Sequence, residues 1–144
     1  MLSRSDHLLL PRPFYQAMIQ HARTELPNEC CGLLAGVRDG AVLRVEALHP
    51  LVNESASPVE YLSASGSLIK AYKEMRQRGH DVVAIYHSHP TSEPVPSKKD
   101  LERNFHGDGV VHFIIGLQGA EPIVCGWWLT ETTFAEAAWE IVEP

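Results

Sequence analysis

The sequence predicts a mixed α/β fold, and three observations carry that prediction. A nearly continuous apolar run, DVVAIYHSH (81–89), has the length and composition of a strand buried on both faces. Two segments, 14–26 and 68–75, repeat apolar residues at helical rather than alternating spacing. Two pairs of short apolar runs, CGLLAGV with AVLRVEAL and VVHFIIGL with PIVCGWWL, are joined through RDG and QGAE, as hairpins are. With 144 residues there is room for one domain over 1–144 with a real core, and 44% apolar and 21% charged residues suit a globular chain.

Taken in order, HLLL (7–10) reads as a first strand. Pro13 suits an early helical position, and Phe14, Met18, Ala22 and Leu26 then recur on one face until Pro27 stops the pattern. After the first hairpin, NESASPVE is a polar loop leading to a short strand candidate around Tyr61. Ser65 or Ser67 can cap the second helix; Leu68, Ala71, Tyr72 and Met75 form its apolar stripe, and Gly79 ends it. A short helix is expected from about Ser97. Trp127 and Trp128 alternate across a strand, so at most one should face the core. The tail TFAEAAWEIV fits helix or strand equally by spacing. There is no internal repeat, low-complexity tract or domain linker.

The net charge of −6 gives a nucleic-acid partner no electrostatic support, and Lys98 with Lys99 reads as a solvated turn. No apolar run is long enough to span a bilayer, so no membrane partner is expected. The stretch MLSRSDHLLLPRP holds only four apolar residues before a proline, too few for a secretory signal, so a cytoplasmic protein is expected. Three cysteines, two of them adjacent, make no disulfide framework and agree with a reducing compartment. Cys30 and Cys31, flanked by GLLAG, read as small residues packed at a strand start rather than as nucleophiles. His7, His21, His49, His80, His106 and His112 match no motif and read as structural or surface residues.

The informative stretch is YHSHPTSEPVPSKKD (86–100). Residues i and i+2 of a strand share a face, so His87 and His89 project side by side from a strand end. Two imidazoles so placed can share one ion, with Asp100 as candidate third ligand from the first turn of the following helix. Each half has a plainer reading. The histidines could simply be hydrogen-bonded at a strand end, and SKKD is also an ordinary helix start with Ser97 as N-cap. Together the halves form a spaced pattern on a suitable scaffold. Other zinc chemistries fail on the same string: there is no HExxH, and no H-x-E with P-C-x-x-C as nucleobase deaminases need.

HSHPTSEPVPSKKD resembles, position for position, the metal motif of the JAMM (MPN-plus) metalloprotease family. LPNECCGLLAG resembles the family's upstream element, with Glu29 in place. The resemblance runs from the first helix through the hairpin after Gly109 and implies a mixed, curved sheet flanked by helices, with a cytidine-deaminase-like placement of the metal. It implies one zinc per chain bound by His87, His89 and Asp100. Glu29 would be the general base that takes a proton from the zinc-bound water, and Ser97 would donate a hydrogen bond to the tetrahedral intermediate. On its own, Glu29 would read as a solvated turn carboxylate.

The resemblance further implies hydrolysis of the bond after the C-terminal Gly-Gly of a ubiquitin-like protein or sulfur carrier. A narrow groove beside the zinc would admit only an extended, side-chain-poor tail, which could add as a strand to a sheet edge. NESASPVEY and the loop 90–96 are expected to wall that groove, although Asn53 and Ser57 read equally well as turn residues. The short chain is similar to the compact prokaryotic branch, and small MPN-type domains often pair, which allows a homodimer. Relatives lacking the ligands are non-catalytic scaffolds, the alternative from another class. A zinc that only holds the fold is a second alternative, disfavoured because such sites are usually closed by four protein ligands.

Overall fold

The computed structural model describes residues 6–104 and 109–144; His106 lies outside them. The elements follow in the order β1 (His7–Pro11), α1 (Arg12–Thr24), β2 (Cys31–Asp39), β3 (Val42–Leu51), α2 (Ser65–Arg78), β4 (Asp81–His89), α3 (Lys98–Glu102), β5 (Val111–Gly116), β6 (Ile123–Leu129), β7 (Phe134–Glu136) and β8 (Ala138–Val142). The strands form one mixed sheet in the order β7-β6-β5-β4-β2-β3-β1-β8. Both expected hairpins are antiparallel pairs, whereas β4–β5, β1–β3 and β1–β8 run parallel.

Both faces of the sheet are covered. Cys30, Leu34, Ala84 and Tyr86 pack with Met18, Ile19 and Ala22 of α1, whereas their neighbours Cys31, Leu33 and Ile85 pack with Ala71 and Met75 of α2. A third cluster joins Ile114, Trp127 and Leu129 to Leu101 of α3. This explains why both tryptophans are buried, at 9% and 2% exposure, against the expectation of at most one. Adjacent strand residues point to opposite faces, and here each face is a core.

Three helix details depart from expectation. α1 ends at Thr24, leaving Leu26 46% exposed, because a residue before proline is pushed out of helical geometry. α2 begins after Ala64, so Ser65 and Ser67 lie inside it; Ser67 Oγ instead donates to Ala64 O and accepts from Val52 N–H. Tyr72 falls off the stripe at 44% exposure, leaving Leu68, Ala71 and Met75 to face the sheet. Gly79 ends the helix in a left-handed conformation. Around Tyr61 there is no strand, only an isolated bridge between Asn53 and Ser63. The ambiguous tail is β7 and β8, and β8 closes the sheet edge against β1.

Candidate metal centre

β4 lies in the middle of the sheet, between β2 and β5, which fixes its backbone on both sides. Alternation then puts His87 and His89 on one face at the strand's end, both buried. α3 returns Asp100 to them through a full capping box. Ser97 Oγ accepts from Asp100 N–H at 3.1 Å, and Asp100 Oδ2 accepts from Ser97 N–H at 2.8 Å. The cap and the ligand readings of Asp100 therefore coexist, because the carboxylate also meets both histidines.

The three side chains converge. His87 Nε2 and His89 Nε2 lie 3.1 Å apart; Asp100 Oδ1 is 3.2 Å from the first and Oδ2 3.2 Å from the second. Atoms held about 2.0–2.1 Å from a tetrahedral zinc lie about 3.3 Å from one another, so the spacing suits one ion. Among the described residues this is the group of three that could hold a metal. The donor set, two imidazole nitrogens and a carboxylate, is also one that zinc accepts. His89 is further oriented by Nδ1–H, which donates to Glu93 O at 2.7 Å and turns Nε2 toward His87 and Asp100. Burial alone would raise Asp100, but His87, with hydrogen bonds from both histidines and Ser97 N–H, holds it well below its ordinary value. Burial would lower His89, and the Asp100 and Glu93 oxygens carry it upward instead.

Glu29 stands in the connection between α1 and β2, two residues before Cys31, which pairs with His87 across the strands. It is not a solvated turn residue: it is 4% exposed, and its Oε1 has no hydrogen-bond partner among the described residues. Burial pushes it up to about 8, against the pull of His89. Ser97 is exposed at the N-terminus of α3, with its hydroxyl hydrogen not engaged in the cap. The adjacent thiols are inert by contrast: burial pushes Cys30 up to about 12 and Cys31 up to about 11.

Segments 53–61 and 90–96 are expected to wall a groove, but the contacts their residues make are not foreseen by the sequence. Tyr61 stacks on the His87 ring, centroids 4.8 Å apart at 29°. Lys99 is not merely solvated, because it pairs with Glu60, and Arg103 approaches the same carboxylate at 3.8 Å. Those contacts tie the segment before Tyr61 to α3, and only about 10 Å³ of space remains between Glu60, Tyr61, Lys99, Asp100 and Arg103. On the other side Trp127 Nε1–H donates to Pro94 O at 3.0 Å, pinning the loop after His89. Asn53 and Ser88 also hold this region, as described below. Only Asn53 carried a signal, an Asn followed two residues later by Ser, as in a side-chain-closed turn.

Comparison with known proteins shows the family and the fold. Residues 11–130 match the family described as prokaryotic homologues of the JAB domain. The chain is 33% identical over 108 residues to the CysO-cysteine peptidase of Mycobacterium tuberculosis, covering 75% of this chain and 71% of that one. It is 38% identical over 104 residues to the desampylase of Haloferax volcanii, covering 69% and 73%. A solution structure of a protein from Desulfitobacterium hafniense superposes with a TM-score of 0.86 at 31% identity, covering 95% of this chain and 94% of that one.

Proposed function

Since the chain belongs to the prokaryotic homologues of the JAB domain, the JAMM-type family its motif resembles, we propose that residues 1–144 form a single zinc-dependent peptidase domain. Its reaction is hydrolysis of the bond after the C-terminal Gly-Gly of a ubiquitin-like protein or sulfur carrier. The observation that carries this reading is the convergence of His87, His89 and Asp100 near Glu29, whose Oε1 is buried with no hydrogen-bond partner among the described residues. The substrate class is supported by relatives at 33% and 38% identity, one named for a CysO–cysteine bond and the other a desampylase.

His87, His89 and Asp100 would hold the zinc. Bound there, zinc supplies Lewis-acid polarisation of the scissile carbonyl and acidifies the attacking water. Glu29 accepts that water's proton and returns it to the leaving amine, a task suited to a buried carboxylate whose Oε1 has no hydrogen-bond partner among the described residues. Ser97 uses a lone pair to accept from Asp100 N–H, which leaves its O–H to donate to the developing oxyanion. The Nδ1–H bond to Glu93 fixes His89 in the tautomer that presents Nε2. The segments 53–61 and 90–96 form the groove walls, and their tethers favour a thin, extended tail over a folded surface.

The test is an intact-mass assay with zinc-loaded protein and the host's ubiquitin-like sulfur carriers, each extended by a peptide after Gly-Gly. Cleavage is expected after the second glycine of one carrier. Glu29→Gln should keep its zinc and lose the activity. Wild-type hydrolysis by a zinc-loaded Glu29→Gln protein would sink the mechanism, and inertness toward every carrier would remove the substrate class.

A further inference from the structure

The proposed base is held in an unusual way. Glu29 belongs to neither α1 nor β2, and its side-chain Oε1 is buried without a hydrogen-bond partner among the described residues. The aim of the carboxylate therefore depends on its main chain, which is fixed on both sides. Glu29 N–H donates to Ser57 O at 2.8 Å, and Glu29 O accepts from Asn53 Nδ2–H at 3.0 Å. The next N–H, of Cys30, donates to Ser88 Oγ at 2.8 Å, and Ser88 N–H returns a bond to Cys30 O at 3.2 Å.

Two of these partners are buried side chains, Ser88 between the histidines of β4 and Asn53 at 8% exposure. All four bonding positions of the Asn53 amide are used. Nδ2 donates to Glu29 O and Glu60 O; Oδ1 accepts from Ser55 and Leu62 N–H. Only one orientation of the amide gives each contact an opposite partner, with two carbonyls at Nδ2 and two N–H groups at Oδ1. The Oδ1 half closes an ordinary side-chain turn to Ser55. The Nδ2 half does something a turn does not require: it reaches 24 residues back along the chain to the Glu29 carbonyl.

We infer that Asn53 is a positioning residue for the base, its amide holding the main chain of Glu29 so that the carboxylate stays aimed at the substrate carbonyl. The inference rests on the function proposed above. Ser88 holds the next residue, Cys30, from the β4 side. Without the amide, Glu29 would drift while all three metal-binding side chains kept their own hydrogen bonds. A misplacement on the scale of an ångström lowers rate by about 10²-fold, and it acts on the chemical step rather than on tail binding.

Asn53→Asp is the informative variant, because its Oδ1 half keeps the Ser55 and Leu62 bonds while its other half sets an oxygen against two carbonyls. Asn53→Ala controls for the added charge, and Ser88→Ala removes the opposite hold. Each protein is zinc-loaded, and zinc content, melting temperature, kcat and KM are measured on the cleavable carrier–peptide conjugate, beside Glu29→Gln. The expected result is wild-type zinc content, KM close to wild type and kcat lower by about 10²-fold. An inactive Glu29→Gln beside fully active Asn53→Asp and Asn53→Ala proteins would overturn this inference alone. An active Glu29→Gln would overturn the proposed role of Glu29 as base, and the inference with it, while inertness of the wild type toward every carrier would overturn the substrate reading itself. Joint loss of zinc and rate, or a change confined to KM, would also overturn it, assigning Asn53 to the metal site or the groove. Should the Asn53 variants not fold, Ser88→Ala decides: the same loss in kcat supports the main-chain hold, and an unchanged kcat removes it.

Discussion

The two histidines of the centre are held by different forces. His89 has a carbonyl partner for its second nitrogen, the usual way of fixing a metal-binding imidazole. His87 Nδ1 is buried and has no hydrogen-bond partner among the described residues, and the nearly parallel Tyr61 ring takes that place. The phenol oxygen is not needed for such a contact, only the ring. Tyr61→Phe should therefore bind zinc like the wild type, whereas Tyr61→Ala should bind on the order of 10-fold more weakly, the range for losing an orienting partner. Competition against a chromophoric chelator measures this directly, and equal affinity in all three proteins would rule out the stacking role.

Among the elements, β4 shows how the chain brings its parts into register. Tyr86 is fully buried, bonded through its hydroxyl to His21 Nδ1 at 2.7 Å, and its ring lies over Gly32 of β2. A Cβ at position 32 would sit 2.2 Å from that ring, so β2 can pair with β4 there only as glycine. Gly32→Ala is expected to destabilise the fold by about 1–3 kcal/mol through overpacking, read as a lower denaturant midpoint with unchanged slope. A neutral result would mean that the ring has room to move. β4 itself, the capped start of α3 and the ligand pattern were legible because each is a local signal of period, cap or spacing. Tyr61, Ser88 and the Asn53 contacts were not, because their meaning lies in partners 24 to 58 residues away. The tail was ambiguous for the same reason. The strand character of β8 is decided by pairing with β1 at the other end of the chain.

Over the whole molecule, three apolar clusters built from the sheet with α1, α2 and Leu101 form the core, and the buried His87 and His89 stand at the end of β4. Two histidines away from the centre, His21 and His49, are held below their ordinary 6.5 by burial. The unfolded chain therefore binds their protons first, so their contribution to stability is complete above pH 6.5 and is lost as pH falls through the lower folded values. A His49→Gln protein should lose less melting temperature than the wild type between pH 7 and 5, and an identical loss would exclude this origin. Metal removal should then separate fold from function. With zinc stripped, Asp100 still has hydrogen bonds from Ser97 N–H and the two histidines, so the buried charge keeps partners. Chelation should abolish hydrolysis while leaving the far- and near-ultraviolet circular dichroism unchanged. Melting should fall only by the lost linkage, roughly 4 kcal/mol for a metal present at a thousandfold its dissociation constant. Collapse of the near-ultraviolet signal on chelation would instead make the ion a structural one, and the open-site reading of His87, His89 and Asp100 would fail with it.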